Sequence, residues 1–142
     1  STPLKTTDSR GFKITSTTGA IIVNQGNVID LAAPVIIKAK GQVGSRDVVL
    51  TFSEKVTNAG GNSVPFVIGD FAYGDTNTAG ASSLTTVGTH NLPLTQITVV
   101  TDADLIAGDI GTGADTIDIA GTNIVDLAET PNVAVTNATD IK

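Results

Sequence analysis

Asn27-Val28-Ile29-Asp30-Leu31-Ala32 recurs 96 positions later as Asn123-Ile124-Val125-Asp126-Leu127-Ala128. Each copy is followed by a proline and an apolar segment, which starts at Pro34 after the first copy and at Pro131 after the second. A segment repeated at the two ends of one chain predicts that both ends occupy similar structural positions.

The similarity extends upstream of the repeated motif without a gap. The same offset aligns Ile14 with Ile110, Ile21 with Ile117 and Val23 with Ile119. Two interpretations follow: the chain is one unit of a tandem array, or it is a subunit whose end completes a neighbour. Both interpretations favour structure and assembly over catalysis.

The composition favours an all-β protein. Hydrophobic residues make up 40% of the 142 residues, but aromatic residues only 4% and charged residues only 15%. The core therefore consists mainly of Val, Ile, Leu and Ala, and β-branched residues suit pleated, half-buried surfaces. Disorder is disfavoured because it requires low hydrophobicity and high charge.

Short apolar runs separated by Gly, Asn, Asp and Pro predict seven to nine strands. In Asp47–Phe52 and Thr95–Thr101, apolar side chains alternate, which places Val48, Leu50, Phe52, Ile97 and Val99 on inward faces. The other predicted strands are Phe12–Ser16, Ala20–Asn24, Pro34–Lys40, Val64–Ile68, Leu84–Val87, Thr116–Ala120 and Asn132–Thr136. A helical turn is predicted only at Asp102–Gly108, and a long exposed loop at Tyr73–Ser83.

The spacing of about 8–12 residues between central strands and the 96-residue repeat are typical of a sandwich of roughly 100 residues. The sequence therefore predicts an immunoglobulin-like (Ig-like) antiparallel β-sandwich over residues 31–142. Residues 1–30 are predicted to form an N-terminal strand extension.

Several motifs resemble those of bacterial Ig-like domains, the modules of surface-layer proteins and tandem-repeat adhesins. The most specific is Thr51-Phe52-Ser53-Glu54-Lys55-Val56, which follows the opening strand at Pro34. The closing segment Asp126–Thr130 departs from the family pattern because it lacks the usual Gly-Asn. The resemblance spans about residues 30–131 and implies an Ig-like module used as building material outside the cell.

The net charge, the lack of a long apolar stretch and the first residues of the chain indicate which partners and which location to expect. A net charge of −6 disfavours nucleic acid, which requires Lys and Arg against phosphates. No stretch approaches the ~20 apolar residues of a membrane helix, so membrane insertion is not expected. The start at Ser1-Thr2-Pro3, without Met, predicts loss of a signal peptide and an extracellular or cell-surface location; excision from a longer protein would explain it equally well.

Catalysis is not expected. The only histidine, His90, is predicted to be an exposed loop residue, and no Gly-x-Ser-x-Gly motif accompanies the serines. Glu54 and Glu129 are the only glutamates, and both are predicted at strand ends or turns, which disfavours a glycosidase pair.

Calcium is the one cofactor that the sequence favours, because hard cations bind carboxylate and carbonyl oxygens in turns. Asp102 and Asp104 alternate beside a predicted turn, and Asp30 and Asp126 occupy equivalent positions of the repeat. Calcium at these residues would stiffen a joint between modules. The alternative is that the same aspartates form turns and caps without a metal.

The N-terminal segment suggests self-assembly. Ile21-Ile22-Val23 is apolar on both faces of a strand, and an exposed strand of this kind is an aggregation hazard. We therefore expect Ile14, Ile21, Ile22 and Val23 to form a donor strand that adds to an adjacent subunit, giving a head-to-tail homopolymer. The alternatives are a hairpin packed on its own domain and a fragment of a tandem array.

The sequence thus predicts an extracellular structural protein, the subunit of a filament, sheath or surface layer. The competing prediction is an Ig-like spacer or binding module of a tandem-repeat adhesin, with a role in cell adhesion.

Overall fold

The computed structural model describes residues 32–142. The predicted N-terminal extension and the residues Ile14, Ile21, Ile22, Val23 and Asp30 lie outside this range. The described residues contain eight strands, one short 3-10 turn at Ile68–Asp70 and no α-helix. The strands are β1 Ile36–Lys40, β2 Asp47–Asn58, β3 Phe71–Gly74, β4 Leu84–Val87, β5 Leu94–Thr101, β6 Thr116–Ile119, β7 Ile124–Val125 and β8 Thr139–Asp140.

The strands form two antiparallel sheets that pack face to face. One sheet has the order β1-β2-β5-β4, with β7 paired to the end of β2, and the other has the order β3-β6-β8. If β7 is set aside, these orders are the A-B-E-D and C-F-G sheets of a constant-type Ig domain. The prediction of an all-β, Ig-like antiparallel sandwich is confirmed.

The core lies between the sheets and follows the predicted alternation. Val48, Leu50 and Phe52 of β2 are buried, whereas the intervening Val49 and Thr51 are half-buried on the other face. Leu50 of β2 pairs with Ile97 of β5, and Ile97 is buried as predicted. The inward side chains of β6 complete the core from the opposite sheet, and together these residues exclude water along the length of the sandwich.

One side of the sandwich is closed by the C-terminal segment, which runs parallel to β1. The amide of Val135 donates to the carbonyl of Pro34 at 3.0 Å, and the amide of Lys142 donates to the carbonyl of Ala39 at 2.9 Å. Ala39 and Ile141 form a parallel bridge between the two sheets. The backbone groups along this side of β1 are thus paired with the C-terminal segment.

The parallel arrangement places residues 32 and 142 at opposite ends of the sandwich. The entry end, where residue 32 lies, also carries the connections 59–70, 88–93 and 120–132. The exit end, where residue 142 lies, carries the connections 41–46, 75–83 and 102–115, which hydrogen bond to one another. Each end of the sandwich thus presents a separate surface made of loops.

Two predicted strands are not strands in the structure. Residues 64–68 lead into the 3-10 turn, because Pro65 has no N–H and the amide of Phe66 donates to the His90 ring at 3.0 Å. Residues 132–136 make only a single bridge, between Val125 and Val133. Their amides are divided between different neighbours, so no continuous ladder forms.

The predicted helical turn at residues 102–108 is also absent. The amide of Leu105 donates to the carbonyl of Ser45, and the amide of Ile106 donates to the carboxylate of Asp109. These amides are committed to tertiary and side-chain partners rather than to a helical ladder. The predicted loop at Tyr73–Ser83 is confirmed from residue 75 onward. Its first two residues, Tyr73 and Gly74, belong to β3 instead.

Candidate functional site

The second copy of the repeat forms a closed loop at the entry end. Ile124 and Val125 are buried and pair with Asn58 and Thr57 of β2. Asp126, which is 1% exposed, accepts hydrogen bonds from the amides of Ala128 at 3.1 Å and of Asn132 at 2.9 Å.

The side-chain amide of Asn132 also donates to Asp126, at 2.7 Å. Burial alone would raise the pKa of Asp126, but the hydrogen bonds from Asn132 and Ala128 outweigh it and hold this pKa below its usual value. Asp126 therefore fixes the path of the chain from β7 to the C-terminal segment. These contacts are those of a turn-forming aspartate.

Asp102 and Asp104 lie together at the exit end but have different partners. One oxygen of Asp102 accepts the amides of Ser82 and Ser83, at 2.9 and 3.2 Å, and the other accepts the Ser82 hydroxyl. The hydrogen bonds from Ser82 hold the pKa of Asp102 below its usual value. Asp104 forms an exposed ion pair with Arg46 at 3.0 Å.

The structure therefore places Asp102 and Asp104 at the exit end, each bonded to a different neighbour, and Asp126 at the opposite end of the sandwich. Asp30 lies outside the described residues. Within residues 32–142, no group of three or more His, Cys, Asp or Glu side chains is placed to hold a metal ion.

The exit end also contains a buried polar network that the sequence did not predict. Asp109 and Asp115 are both fully buried, and the side-chain amide of Asn77 donates to each, at 3.0 and 3.3 Å. Asp115 also accepts the Tyr73 hydroxyl at 2.6 Å and the amide and hydroxyl of Thr76, both at 2.9 Å.

Asp109 accepts the amides of Ala81 and Ile106 in addition to Asn77. Burial would raise the pKa of Asp109, but these hydrogen bonds lower it further than burial raises it. Burial, and next the hydrogen bond to Asp115, raise the pKa of Tyr73 far above its usual value. The network fastens Tyr73 and the connection 75–83 to the connection 102–115, and the pairs that join these segments are 28–42 residues apart in sequence.

His90 is half-buried rather than exposed, contrary to the prediction. Its ring stacks on Phe66 with a centroid distance of 5.6 Å, and Nε2 accepts the Phe66 amide. Nδ1 lies 2.7 Å from the carbonyl of Gly88, so Nδ1 carries the proton and donates it. Both ring nitrogens thus hold the entry-end loops together.

The side of the sandwich opposite the C-terminal segment is open. Within residues 32–142, β3 pairs only with β6 and β4 pairs only with β5, so each strand has one unpaired edge. Three inward side chains along these edges, Tyr73, Leu84 and Val87, are half-buried, whereas Phe71 of β3 is buried, as are Ile36 and Ile141 on the closed side. We call the two edges and these side chains the open seam.

A shallow cleft of about 300 Å³ lies beside the second copy of the repeat. It is lined by Glu54, Lys55, Leu127 and Ala128. Leu127 is 49% exposed, so its side chain contributes apolar surface to the cleft. The cleft therefore combines an apolar contact with two charged side chains.

No significant match to a protein-family model, to a curated protein or to a solved structure is found for this chain. Residues 32–142 contain no helix that is long and apolar enough to cross a membrane. The resemblance to bacterial Ig-like domains therefore stays a prediction from the sequence motifs.

Proposed function

We propose that this chain is an extracellular structural subunit that assembles head to tail into a filament, sheath or surface layer. The observation that carries the proposal is the parallel alignment of β1 with the C-terminal segment, which separates residues 32 and 142 to opposite ends. A module of this form can be joined end to end without reversing direction, so identical contacts repeat along one axis. Heterologous contacts that do not close into a ring give filaments.

The N-terminal segment supplies the proposed joint. Ile14, Ile21, Ile22 and Val23 form the donor strand, which adds to a neighbouring subunit by β-augmentation. Burial of one large aliphatic side chain contributes about 1.5–3 kcal/mol, and each added backbone hydrogen bond contributes about 1 kcal/mol. A strand with several such side chains would give a long-lived joint.

Calcium belongs to this proposal as a stiffening ion between subunits. Asp102 and Asp104 lie at the exit end, where a head-to-tail contact would place them against the next subunit, whereas Asp126 at the entry end is buried and would have to exchange its hydrogen bonds to bind the ion. An added cation would also offset the net charge of −6 that each subunit carries. Neither nucleic acid nor a membrane-inserted partner is part of the proposal, and no catalytic role is proposed.

The proposal is tested by negative-stain electron microscopy of the purified full chain over a range of concentrations, with calcium and with a chelator. We expect regular fibres or tubes, and dissociation or loss of order in chelator. The matched variants are Ile21→Asn with Val23→Asn, which we expect to abolish fibres, and Thr6→Asn with Thr7→Asn, outside the donor segment, which we expect to leave them intact.

A chain that begins at Gly26 provides a second test of the joint. Circular dichroism establishes first that this shorter chain is folded. Fibres formed by the folded shorter chain would refute strand donation, and monomers of the full chain under every condition would refute assembly.

The second candidate is a spacer or binding module of a tandem-repeat adhesin. Opposite chain ends suit a linear array equally well, and the cleft beside Leu127 offers a surface for a protein or glycan ligand. Binding of either ligand class by a stable monomer, with no fibres at high concentration, would favour this candidate.

A further inference from the structure

We infer that the unpaired edge of β3 is the acceptor for the donor strand, and that the occupant is residues 12–24 of a second copy of this chain. The inference depends on the proposed assembly and specifies its contact. It follows from the asymmetry of the sandwich, from the difference between its two unpaired edges and from the repeat.

The asymmetry shows where a strand is missing. On the closed side, the carbonyl of Ile36 accepts the side chains of Asn137 and Thr139, and the Ile36 side chain is fully buried. On the open seam, Tyr73, Leu84 and Val87 remain half-buried although they pack against the same core. An added strand on this side would complete their burial.

Of the two unpaired edges, β4 is the less suitable acceptor. Its register with β5 shifts between Leu84 and Thr86, and such bulges disrupt further pairing.

The edge of β3 has no bulge, and at four residues it is as short as β4. Its four residues, Phe71-Ala72-Tyr73-Gly74, include no proline and no charged side chain. Their register with β6 is continuous, from Phe71 against Ile119 to Gly74 against Thr116. Variable-type Ig domains extend the corresponding sheet at this same edge.

The repeat identifies the strand that fits. Ile117 and Ile119 of β6 are buried and pair with Tyr73 and Phe71 on one side of β3. At the offset of 96 these two residues align with Ile21 and Val23. The donor segment therefore repeats the apolar alternation of the strand that β3 already binds, and we place it on the other side of β3.

Head-to-tail geometry delivers this segment to the correct place. The strand β3 runs from the entry end at Phe71 to the exit end at Gly74. In a linear stack, the entry end of the next copy, where its residue 32 lies, faces this exit end, so a donor segment reaching back along β3 would run parallel to β3, whereas β6 runs antiparallel to it. With Ile21 and Val23 turned inward, Ile22 lies on the outer face beside the exposed Ala72.

Because the chain has no cysteine, disulfide trapping tests the contact directly. A full chain with Ile22→Cys is co-assembled with a differently tagged full chain carrying Ala72→Cys, then oxidised and separated on a non-reducing gel. Ala20→Cys and Asn24→Cys lie on the same strand face as Ile22, and they test whether the donor strand pairs with β3 in another register. The matched control acceptor is Thr86→Cys on the exposed part of β4.

We expect several-fold more mixed dimer with Ala72→Cys than with Thr86→Cys, and none when the donor carries Ile21→Asn and Val23→Asn as well. Dominant trapping at Thr86→Cys would overturn the choice of β3. An internal disulfide in a monomer with both Ile22→Cys and Ala72→Cys would show that the segment packs on its own chain.

The two failures are distinguishable. Fibres seen by microscopy without trapping at Ala72→Cys from any donor position would overturn the acceptor edge and leave assembly standing. Absence of fibres in the unmodified chain would refute the proposed function itself.

Discussion

Replacement of Asp126 tests whether the second copy of the repeat holds the fold or awaits a ligand. Asp126→Ala removes the acceptor for three donors: the amides of Ala128 and Asn132 and the Asn132 side chain. Each hydrogen bond to a charged acceptor contributes roughly 1.5–3 kcal/mol, but this loop is only partly buried and water can replace some of them. We therefore expect the free energy of unfolding to fall by about 2–4 kcal/mol.

The assay is urea denaturation of the full chain at neutral pH, followed by circular dichroism. Asp126→Asn retains one acceptor oxygen for the two backbone amides, so we expect it to cost less than Asp126→Ala. The matched control is Asp104→Ala, whose exposed ion pair with Arg46 contributes about 0–1 kcal/mol.

The pH dependence gives an independent check on the same residue. Because folding lowers the pKa of Asp126 from its ordinary 3.8, its stabilising contribution is complete only well above pH 3.8 and is lost progressively as the pH falls through the folded value. The difference between the unmodified chain and Asp126→Ala should therefore shrink below pH 4. A cost for Asp126→Ala no larger than that of Asp104→Ala at neutral pH would refute the structural role of Asp126.

The exit-end network gives three further predictions, each measured by thermal unfolding. Tyr73→Phe removes the donor to the buried Asp115 and should cost about 1–2 kcal/mol; an unchanged melting temperature would contradict the network. Gly80→Ala should cost more than Gly44→Ala: both glycines have positive φ, of 87° and 80°, but only at Gly80 would a Cβ collide with the carboxylate of Asp109. Equal losses of stability in the two variants would show that the loop shifts to accommodate the added Cβ. Asp109→Ala should destabilise the chain less at acidic than at neutral pH, because folding lowers the pKa of Asp109.

The central strands could be predicted because their signal is local. Alternation in Asp47–Phe52 fixes which side chains face inward, and Val48, Leu50 and Phe52 are buried as expected. The boundaries of β4 agree with the prediction, and β5 begins one residue earlier, at Leu94. In residues 47–52 of β2 and 97–101 of β5 the buried side chains alternate with the backbone period of two, so sequence pattern and fold agree.

The sequence predictions fail where the residues that interact are distant in sequence. His90 looked like an exposed loop residue, but Phe66, 24 positions away, supplies both the stacking surface and an amide. The network around Asp115 joins residues up to 42 positions apart, and no local pattern marks a buried aspartate. The strand predicted at residues 132–136 failed because its amides serve two neighbours instead of one ladder.

The two candidate functions make different use of this geometry, and the open seam separates them. A spacer module needs only opposite chain ends, and a half-buried edge such as that of β3 is then a liability that the sequence would be expected to blunt with charge or proline. Phe71–Gly74 contains neither. A polymer needs an accepting edge and a matching strand, and Ile21 and Val23 repeat the spacing of the two isoleucines already paired to β3. Self-assembly therefore accounts for the unprotected edge, the apolar N-terminal segment and the repeat together, whereas a spacer accounts only for the repeat.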